Sequence, residues 1–367
     1  MKINCFKKDI KEAVYVCERI AGKNINLPIL SNILLDADEN GLKIISTNLD
    51  LGVEVIIPSA KIEKNGKITV PAAIFNNYLS NISGNDEIYL DVKDNNLIIS
   101  TNNNSTLIKS QPADDFPSIP KLKTDNIFSL PIIDFISGLK MVFYSCSLSN
   151  IKPEISSVYL YSSKTDMLTF TATDSFRLAE KKSNYFFDNF GPILIPFKTI
   201  IEIIRIFEGK NGNIDIVFNK NQINIKTDNI IFVSRLIDGI FPDYNQIIPK
   251  KFNTNVFIKK EQFINSLKLS GVFSGKLNEI NMSVNLGDDF FTIKTANNES
   301  GESVTKIPAK ITGESIKISF NHKYIYDCLP NINSEEIVLK FSGDGKPLLI
   351  TGANDNTFQY LVMPMSV

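Results

Sequence analysis

A period of about 125 residues runs through this chain, and it restricts the fold to a small set of repeat architectures. Three segments carry it: "GKITVPAAIFNNYLSNI" from Gly66, "GPILIPFKTIIEIIRIF" from Gly191 and "ESIKISFNHKYIYDCLP" from Glu314. Each reads as a short apolar strand running directly into a helix. Pro71 and Pro196 lie 125 residues apart, and the third helix is expected about 124 residues further on, near Phe320. The segments that follow share a rhythm too. "DEIYLDVKDNNLIISTNNNSTLIKS" and "GNIDIVFNKNQINIKTDNIIFVSRL" alternate apolar and polar residues around turn clusters at Lys93-Asp94-Asn95-Asn96 and Asn219-Lys220-Asn221, the pattern of antiparallel hairpins.

The front of each unit repeats as well. Helical patterns begin near Lys7, Pro131 and Lys259, each after a short strand. In the second, Ile132, Phe135, Ile136, Leu139, Val142 and Phe143 mark one helical face. "DDFPSIP" and "GIFPDYNQIIP" close the first two units, with Phe116-Pro117 and Phe241-Pro242 again 125 apart. The 367 residues exceed one comfortable core. The reading is three similar α+β domains with antiparallel sheets, 1–123, 124–251 and 252–367, each a duplicated strand-helix-strands unit, with boundaries at polar stretches near Lys123 and Lys251.

Several kinds of chemistry are missing. The sequence has no HExxH, GxxxxGK[ST] or GxGxxG motif. Its one histidine, His322, begins a predicted helix, and no Ser-His-Asp or Cys-His set can be built around it. Gly343-Asp344-Gly345-Lys346-Pro347 lacks a following helix and reads as a hairpin turn, not a phosphate loop. Cys5, Cys17, Cys146 and Cys328 have no CxxC spacing and sit among apolar residues, which predicts buried thiols, no bound metal and no cofactor. No apolar run approaches a membrane span, and the N-terminus lacks a signal core, so a cytoplasmic protein is expected. The net charge of −1 excludes a basic body that grips phosphates all over, so any nucleic-acid contact must come from local patches. The helices offer such patches. Opposite the stripe Phe197, Ile200, Ile204, Phe207 lie Lys198, Glu202 and Arg205; other helices present Lys8, Lys11, Lys140, Lys268 and Lys323. Taken singly, each is an ordinary solvated face; pooled on one side of a sheet layer, they would touch phosphates without reading bases.

Six ordered pieces carry a family resemblance: "LPILSNILL" from Leu27, "TNLDLGVEV" from Thr47, "PADDFPSIP" from Pro112, "ATDSFRLA" from Ala172, "LIDGIFPDYNQIIP" from Leu236 and the terminal "YLVMPMSV" from Tyr360. Over essentially its full length the chain resembles the bacterial DNA polymerase III beta subunit family, the sliding clamps. The resemblance implies a non-catalytic processivity factor of DNA replication. It implies a head-to-tail homodimer of six domains forming a ring, with sheets outside and helices lining the hole around double-stranded DNA.

It also implies sites. A hydrophobic cleft between the second and third domains would capture short motifs on the polymerase catalytic subunit, the clamp loader and other DNA-processing proteins. The matching positions are Ile155, Thr173, Ser175, Phe176, Arg177, Leu178, Pro242, Gln246, Ile247, Leu277, Asn321, Tyr324, Pro347, Val362, Met363, Pro364 and Met365. Methionine and aromatic side chains suit such an adaptable pocket. Arg177 is placed to meet an acidic or amide group of the peptide, and the methionine pair is read as a flexible, exposed tail. Leu178, Ile247 and Val362 read equally well as core. Phe176 stands where the family commonly has histidine, Gln246 where a basic residue is frequent, and Ser366-Val367 where the usual ending is Arg-Leu. The dimer contact would join Thr106, Leu107 and Ile108 to Val272 and Phe273, with Leu107 equally readable as strand core. Lys23, Asn24, Lys140, Lys152 and Lys198 are the candidate DNA contacts. The rival readings are a hydrolase with paired carboxylates in a domain cleft and a repeated β-rich adhesion protein. The first lacks an obvious acid pair, the second a secretion signal and paired cysteines.

Overall fold

Strand and helix follow one another in the order that the repeat predicts. A computed structural model of the chain describes residues 1–22, 26–83, 87–122, 126–149, 151–163, 165–188 and 190–365. The first third holds β1 (Lys2–Phe6), α1 (Lys7–Ile20), β2 (Asn32–Asp38), β3 (Gly41–Thr47), β4 (Leu51–Ile57), β5 (Lys61–Lys64), β6 (Gly66–Pro71), α2 (Ala72–Asn81), β7 (Glu87–Lys93), β8 (Asn96–Ser100) and β9 (Ser105–Lys109). The middle third holds β10 (Phe128–Pro131), α3 (Ile132–Val142), β11 (Ser157–Ser162), β12 (Thr169–Thr173), β13 (Arg177–Lys182), β14 (Phe190–Pro196), α4 (Phe197–Phe207), β15 (Asn213–Phe218), β16 (Gln222–Lys226) and β17 (Ile230–Arg235). The last holds β18 (Thr254–Lys259), α5 (Lys260–Gly271), β19 (Glu279–Val284), β20 (Phe290–Asn297), β21 (Gly301–Pro308), β22 (Lys310–Gly313), β23 (Ile316–Asn321), α6 (His322–Cys328), β24 (Glu336–Phe341), β25 (Leu348–Gly352) and β26 (Asp355–Val362).

Local chemistry explains the joints. Asp94 and Asn95 both adopt left-handed φ (51° and 59°) between the paired Lys93 and Asn96, the two-residue turn that matches strand twist. Gly343 (φ 118°) and Gly345 (φ 66°) make the β24–β25 turn. The third helix starts at His322, close to the expected position near Phe320. Phe320 and Asn321 complete β23, and the Asn321 side chain caps α6 by accepting the Lys323 N–H at 3.0 Å.

Packing gathers the chain into two compact units, Met1–Ile133 with Ile201–Leu236 and Asp134–Ile200 with Ile237–Val367. These units do not coincide with the sequence period, because hydrogen-bonded sheets cross from one repeat to the next. The first unit has a five-stranded sheet, β5-β1-β7-β8-β9, and an eight-stranded one, β10-β15-β16-β17-β4-β3-β2-β6. In the latter β17 lies antiparallel to β4, with Phe232 opposite Val53. The second unit has a nine-stranded sheet, β14-β11-β12-β13-β26-β25-β24-β18-β22, and a four-stranded one, β21-β20-β19-β23. There β13 lies antiparallel to β26, with Leu178 opposite Leu361.

The helices bury their stripes on these sheets. In the first unit Ile10, Val14 and Cys17 of α1 and Phe75 and Leu79 of α2 are buried. In the second, Phe263 of α5 meets Phe291 edge-on at 6.2 Å, and Phe341 lies against both Phe291 and Phe320. Each such buried side chain contributes about 2–3 kcal/mol relative to exposure. Gly138 in α3 has a packing reason: a Cβ there would stand 2.6 Å from the Phe170 ring. Among the described residues no helix is long and apolar enough to cross a membrane.

Candidate functional site

The site begins with a turn that the sequence uses twice. Between β12 and β13, Ser175 adopts φ 78°. The Thr173 hydroxyl donates to the Arg177 carbonyl at 2.7 Å and accepts the Ser175 N–H at 3.2 Å. Asp174 Oδ1 accepts the N–H groups of Phe176 and Arg177 at 2.9 and 3.0 Å. In the first unit Thr47, Asn48, Leu49 (φ 77°), Asp50 and Leu51 make the same bonds: Thr47 to the Leu51 carbonyl at 2.8 Å, and Asn48 Oδ1 from Asp50 and Leu51 at 3.0 and 2.7 Å. A positive φ on a non-glycine residue is strained, and the side-chain bonds on both flanks hold it.

This turn splits its side chains between three destinations. Phe176 points outward, 59% exposed, and stacks on Tyr324 with ring centres 6.4 Å apart and planes 19° from parallel. Leu178 goes inward to a cluster of Leu194, Phe241, Tyr244, Leu349 and Leu361, against which Tyr159, Ile237, Ile248, Phe252 and Met363 pack. Phe241 lies face to face with Tyr159 at 4.7 Å.

Arg177, expected to meet a peptide group, turns back toward internal partners in this structure. Its Nε donates to Asp174 Oδ2 at 3.0 Å, Nη1 to Asp327 Oδ2 at 2.6 Å and Nη2 to the Tyr144 carbonyl at 2.7 Å. Its guanidinium also lies 4.7 Å from the Tyr324 ring centre. Burial opposes its charge, but Tyr360, Asp327 and Asp174 outweigh that and raise its pKa above the ordinary arginine value. Arg177 braces the rim through one bond from each of its three nitrogens.

The C-terminal tail is also strapped down, not loose. The Met363 N–H donates to the Phe176 carbonyl at 2.8 Å and the Met365 N–H to the Ser319 carbonyl at 2.9 Å, with Met363, Pro364 and Met365 half-buried. The reason is continuation of the β26–β13 ladder past Val362, which is itself buried opposite Arg177. Ser366 and Val367 lie outside the described residues.

The remaining predicted cleft residues fall into groups. Thr173, Ile155 and Pro347 are buried. Pro242, Gln246 and Ile247 are exposed around the 3₁₀ turn Tyr244–Gln246; the Gln246 amide donates to Asp243. Asn321 is occupied with its cap, one turn from Tyr324. Leu277, 68% exposed between α5 and β19, has no hydrogen bond or ring contact to the Phe176 group among the described residues. Sequence reasoning missed Tyr144, Asp327 and Tyr360, which hold Arg177, and Phe241 and Tyr244, which floor the site. The last two stand in a repeated Phe-Pro segment, which marks them in the sequence; Asp327 carries no such mark.

The candidate dimer residues fall at an end strand and after a helix. β9 is the last strand of the five-stranded sheet, with Leu107 54% exposed, Thr106 half-buried and Ile108 buried. Val272 and Phe273 follow α5, and the Phe273 ring lies beside Gly301, the first residue of β21. β21 is itself an end strand, with Val304 55% exposed; the sequence reading did not single it out. Of the candidate DNA contacts, Lys23 and Asn24 lie outside the described residues. Lys140 is exposed in the last turn of α3. Lys152 and Lys198 are exposed, and a backbone bond from the Phe197 N–H to the Ser156 carbonyl at 3.0 Å ties the start of α4 to the segment that follows Lys152. Among the described residues no group of His, Cys, Asp and Glu could hold a metal. Burial raises all four thiols, Cys5 to about 12.

Comparison with known proteins places this geometry. Models of the N-terminal, central and C-terminal domains of the DNA polymerase III beta subunit match residues 1–120, 130–243 and 245–366. The chain is 26% identical to the beta sliding clamp of Bacillus subtilis over 378 residues, covering 100% of this chain and 99% of that one. It is 25% identical to the beta sliding clamp of Synechococcus elongatus over 379 residues, covering all of both. A crystal structure of the Bacillus subtilis sliding clamp superposes with a TM-score of 0.93 at 25% identity, covering 100% of this chain and 99% of that one. The DNA polymerase III beta subunit of Pseudomonas aeruginosa has the same fold, with a TM-score of 0.94 at 22% identity over the whole of both chains. With three clamp domains in order along its length, the chain belongs to the DNA polymerase III beta subunit family, the non-catalytic sliding clamps of bacterial DNA replication.

Proposed function

We propose that the chain works as a head-to-tail homodimer, a ring that encircles duplex DNA and tethers its partners through the Phe176 cleft. The observation that carries this reading is a pair of free strand edges. Within the chain, repeats are joined twice in one manner, by β17 on β4 and by β26 on β13. β9 holds in its repeat the place of β17 and β26, and β21 holds the place of β4 and β13. Both end their sheets among the described residues. An exposed edge invites pairing, and its unmet N–H and C=O groups are satisfied by a second strand. A second copy supplies it: β9 of one protomer against β21 of its partner. Such a heterologous contact closes at two copies into six repeats.

In this reading the domains are 1–123, 124–251 and 252–367. Sheets form the outside, and helices with Lys140, Lys152 and Lys198 face the DNA, joined by Lys23 and Asn24. A near-neutral protein holds DNA weakly at such contacts, and enclosure, not adhesion, provides retention. The partners are the DNA polymerase III catalytic subunit, the clamp loader and other proteins bearing clamp-binding motifs, in the cytoplasm. The cleft residues are those of the turn and tail, with Phe176, Tyr324, Ile247 and Met363 as the apolar contacts and Arg177 bracing them.

Oligomeric state tests the edge pairing. Sedimentation equilibrium is expected to give a dimer for the wild-type chain. Leu107→Asp, Val304→Asp, and Val272→Ala combined with Phe273→Ala each shift it to monomer. A dimer that persists in both aspartate variants contradicts the reading.

A further inference from the structure

Beneath the cleft lies a buried acid that neither the turn nor the tail uses. Glu180, on β13, is 3% exposed. Its Oε2 accepts the Tyr244 hydroxyl at 2.5 Å, and its Oε1 accepts the Gln359 amide at 2.7 Å. The same Tyr244 oxygen lies 3.1 Å from the Tyr161 hydroxyl and accepts the Thr171 hydroxyl at 3.3 Å. A carboxylate in such a place is costly unless its oxygens are satisfied, and here both are. Tyr244 opens the 3₁₀ turn Tyr244–Gln246, and its carbonyl accepts the Ile247 N–H at 3.1 Å. Its ring packs in the same cluster as Leu178 and Phe241, against which Met363 rests.

The first unit repeats the device with another anchor. Glu54, at the matching place on β4 and also buried, pairs with Lys121 at 3.1 Å. Lys121 follows the Phe116-Pro117 segment as Tyr244 follows Phe241-Pro242. Ile119, the counterpart of Tyr244, packs over Gly52, where a Cβ would stand 2.9 Å from its Cδ1. In both units a buried glutamate three residues into the strand fixes the segment that leaves the repeat. Only in the second does that segment carry candidate cleft residues.

We propose that Glu180 is a positioning residue for the partner cleft: it fixes the Tyr244 hydroxyl, and through it the turn bearing Gln246 and Ile247, so that this wall is set before a partner arrives. The proposal rests on the cleft reading above. A preformed wall saves the ordering cost at binding. Without the anchor, the turn must be ordered by the partner and affinity falls.

The test measures binding of the purified DNA polymerase III catalytic subunit to immobilised clamp by surface plasmon resonance, with melting curves for each variant. Glu180→Ala is expected to weaken binding by roughly tenfold, the scale of one hydrogen bond to a charged group. Glu180→Gln restores it, because an amide accepts the Tyr244 hydroxyl on one side and bonds Gln359 on the other. Glu54→Ala lowers the melting temperature and leaves affinity unchanged, since its segment carries no cleft residue. Tyr244→Phe, which keeps the ring and removes the hydroxyl, weakens binding as Glu180→Ala does and serves if the alanine variant does not fold. Affinity within about twofold of wild type in both Glu180→Ala and Tyr244→Phe overturns the proposal, as does an equal loss in Glu54→Ala. If the wild-type clamp and all variants fail to bind, the cleft reading itself falls, and this inference with it. If removal of residues 363–367 abolishes binding while Glu180→Ala does not, the cleft stands and only the positioning role is lost.

Discussion

Arg177 and Asp327, 150 residues apart in the sequence, form a 2.6 Å ion pair that braces the β12–β13 turn, the rim of the proposed partner cleft. The pair fixes the orientation of the β12–β13 turn, because the same guanidinium also binds Asp174 within that turn and the Tyr144 carbonyl beyond it. Phe176 is thereby held outward onto Tyr324, giving the site an exposed aromatic face in place of a charged one.

Arg177→Ala leaves Asp174 without its side-chain partner and strips the Tyr144 carbonyl of a donor. Breaking a largely buried pair costs about 3 kcal/mol, discounted here because Asp327 is partly exposed. A loss of about 2 kcal/mol is expected, seen as a fall of roughly 4–8 °C in melting temperature by calorimetry. Arg177→Lys recovers little of it, since one ammonium cannot replace a three-way fork.

Removal of residues 363–367 cuts the strap that ties Met363 to Phe176 and Met365 to Ser319. Partner binding is expected to disappear while sedimentation still reports a dimer, because the edges β9 and β21 are untouched. Unchanged partner affinity in the truncated chain contradicts the assignment of the cleft.

The legibility of this molecule in its sequence was uneven for physical reasons. The period, the hairpins and the six strand-to-helix junctions were readable because they rest on local alternation and turn residues. That Leu49 and Ser175 share one strained turn was not, since neither is glycine and only their Thr and Asx neighbours, bonding side chain to backbone, make the conformation tolerable. The helix start at His322 was readable too, and the Asn321 side chain that caps it fixes the junction. Exposure of Met363 and Met365 was overread: their backbone bonds depend on strands far away in the chain. The division into two packed units was hidden, because sheet pairing between repeats leaves no periodic trace. The β21 edge was missed for the same reason, while Thr106–Ile108 could be named from the resemblance alone.

The thiols set an alkaline limit. Burial first, then Asp9 and Glu87, pushes Cys5 up to about 12 from 9.0, and burial also raises Cys17, Cys146 and Cys328. Unfolding releases these protons above pH 9, so their stabilisation is intact below that value and lost as pH rises through the folded pKa. Each thiol contributes a slope of about 1.4 kcal/mol per pH unit there. The expected results are slow labelling by a disulfide reagent at pH 8 in the folded state, rapid labelling in denaturant, and a shallower alkaline decline in melting temperature for Cys5→Ala.

Lys152 and Lys198 are expected to act through phosphates. Replacing each with alanine reduces by about 1 the slope of log affinity against log salt for a short duplex, with equal effect on unrelated sequences. Fluorescence anisotropy across a salt series reads this directly. A sequence-dependent loss contradicts backbone contact.

The central claim is that DNA is held by enclosure. Loader-assembled clamp on nicked circular DNA, passed over a gel-filtration column in high salt, reads it most directly. The account predicts clamp co-eluting with the circles and lost once a restriction enzyme linearises them. Equal retention on circular and linear DNA, or loss from both, would contradict it.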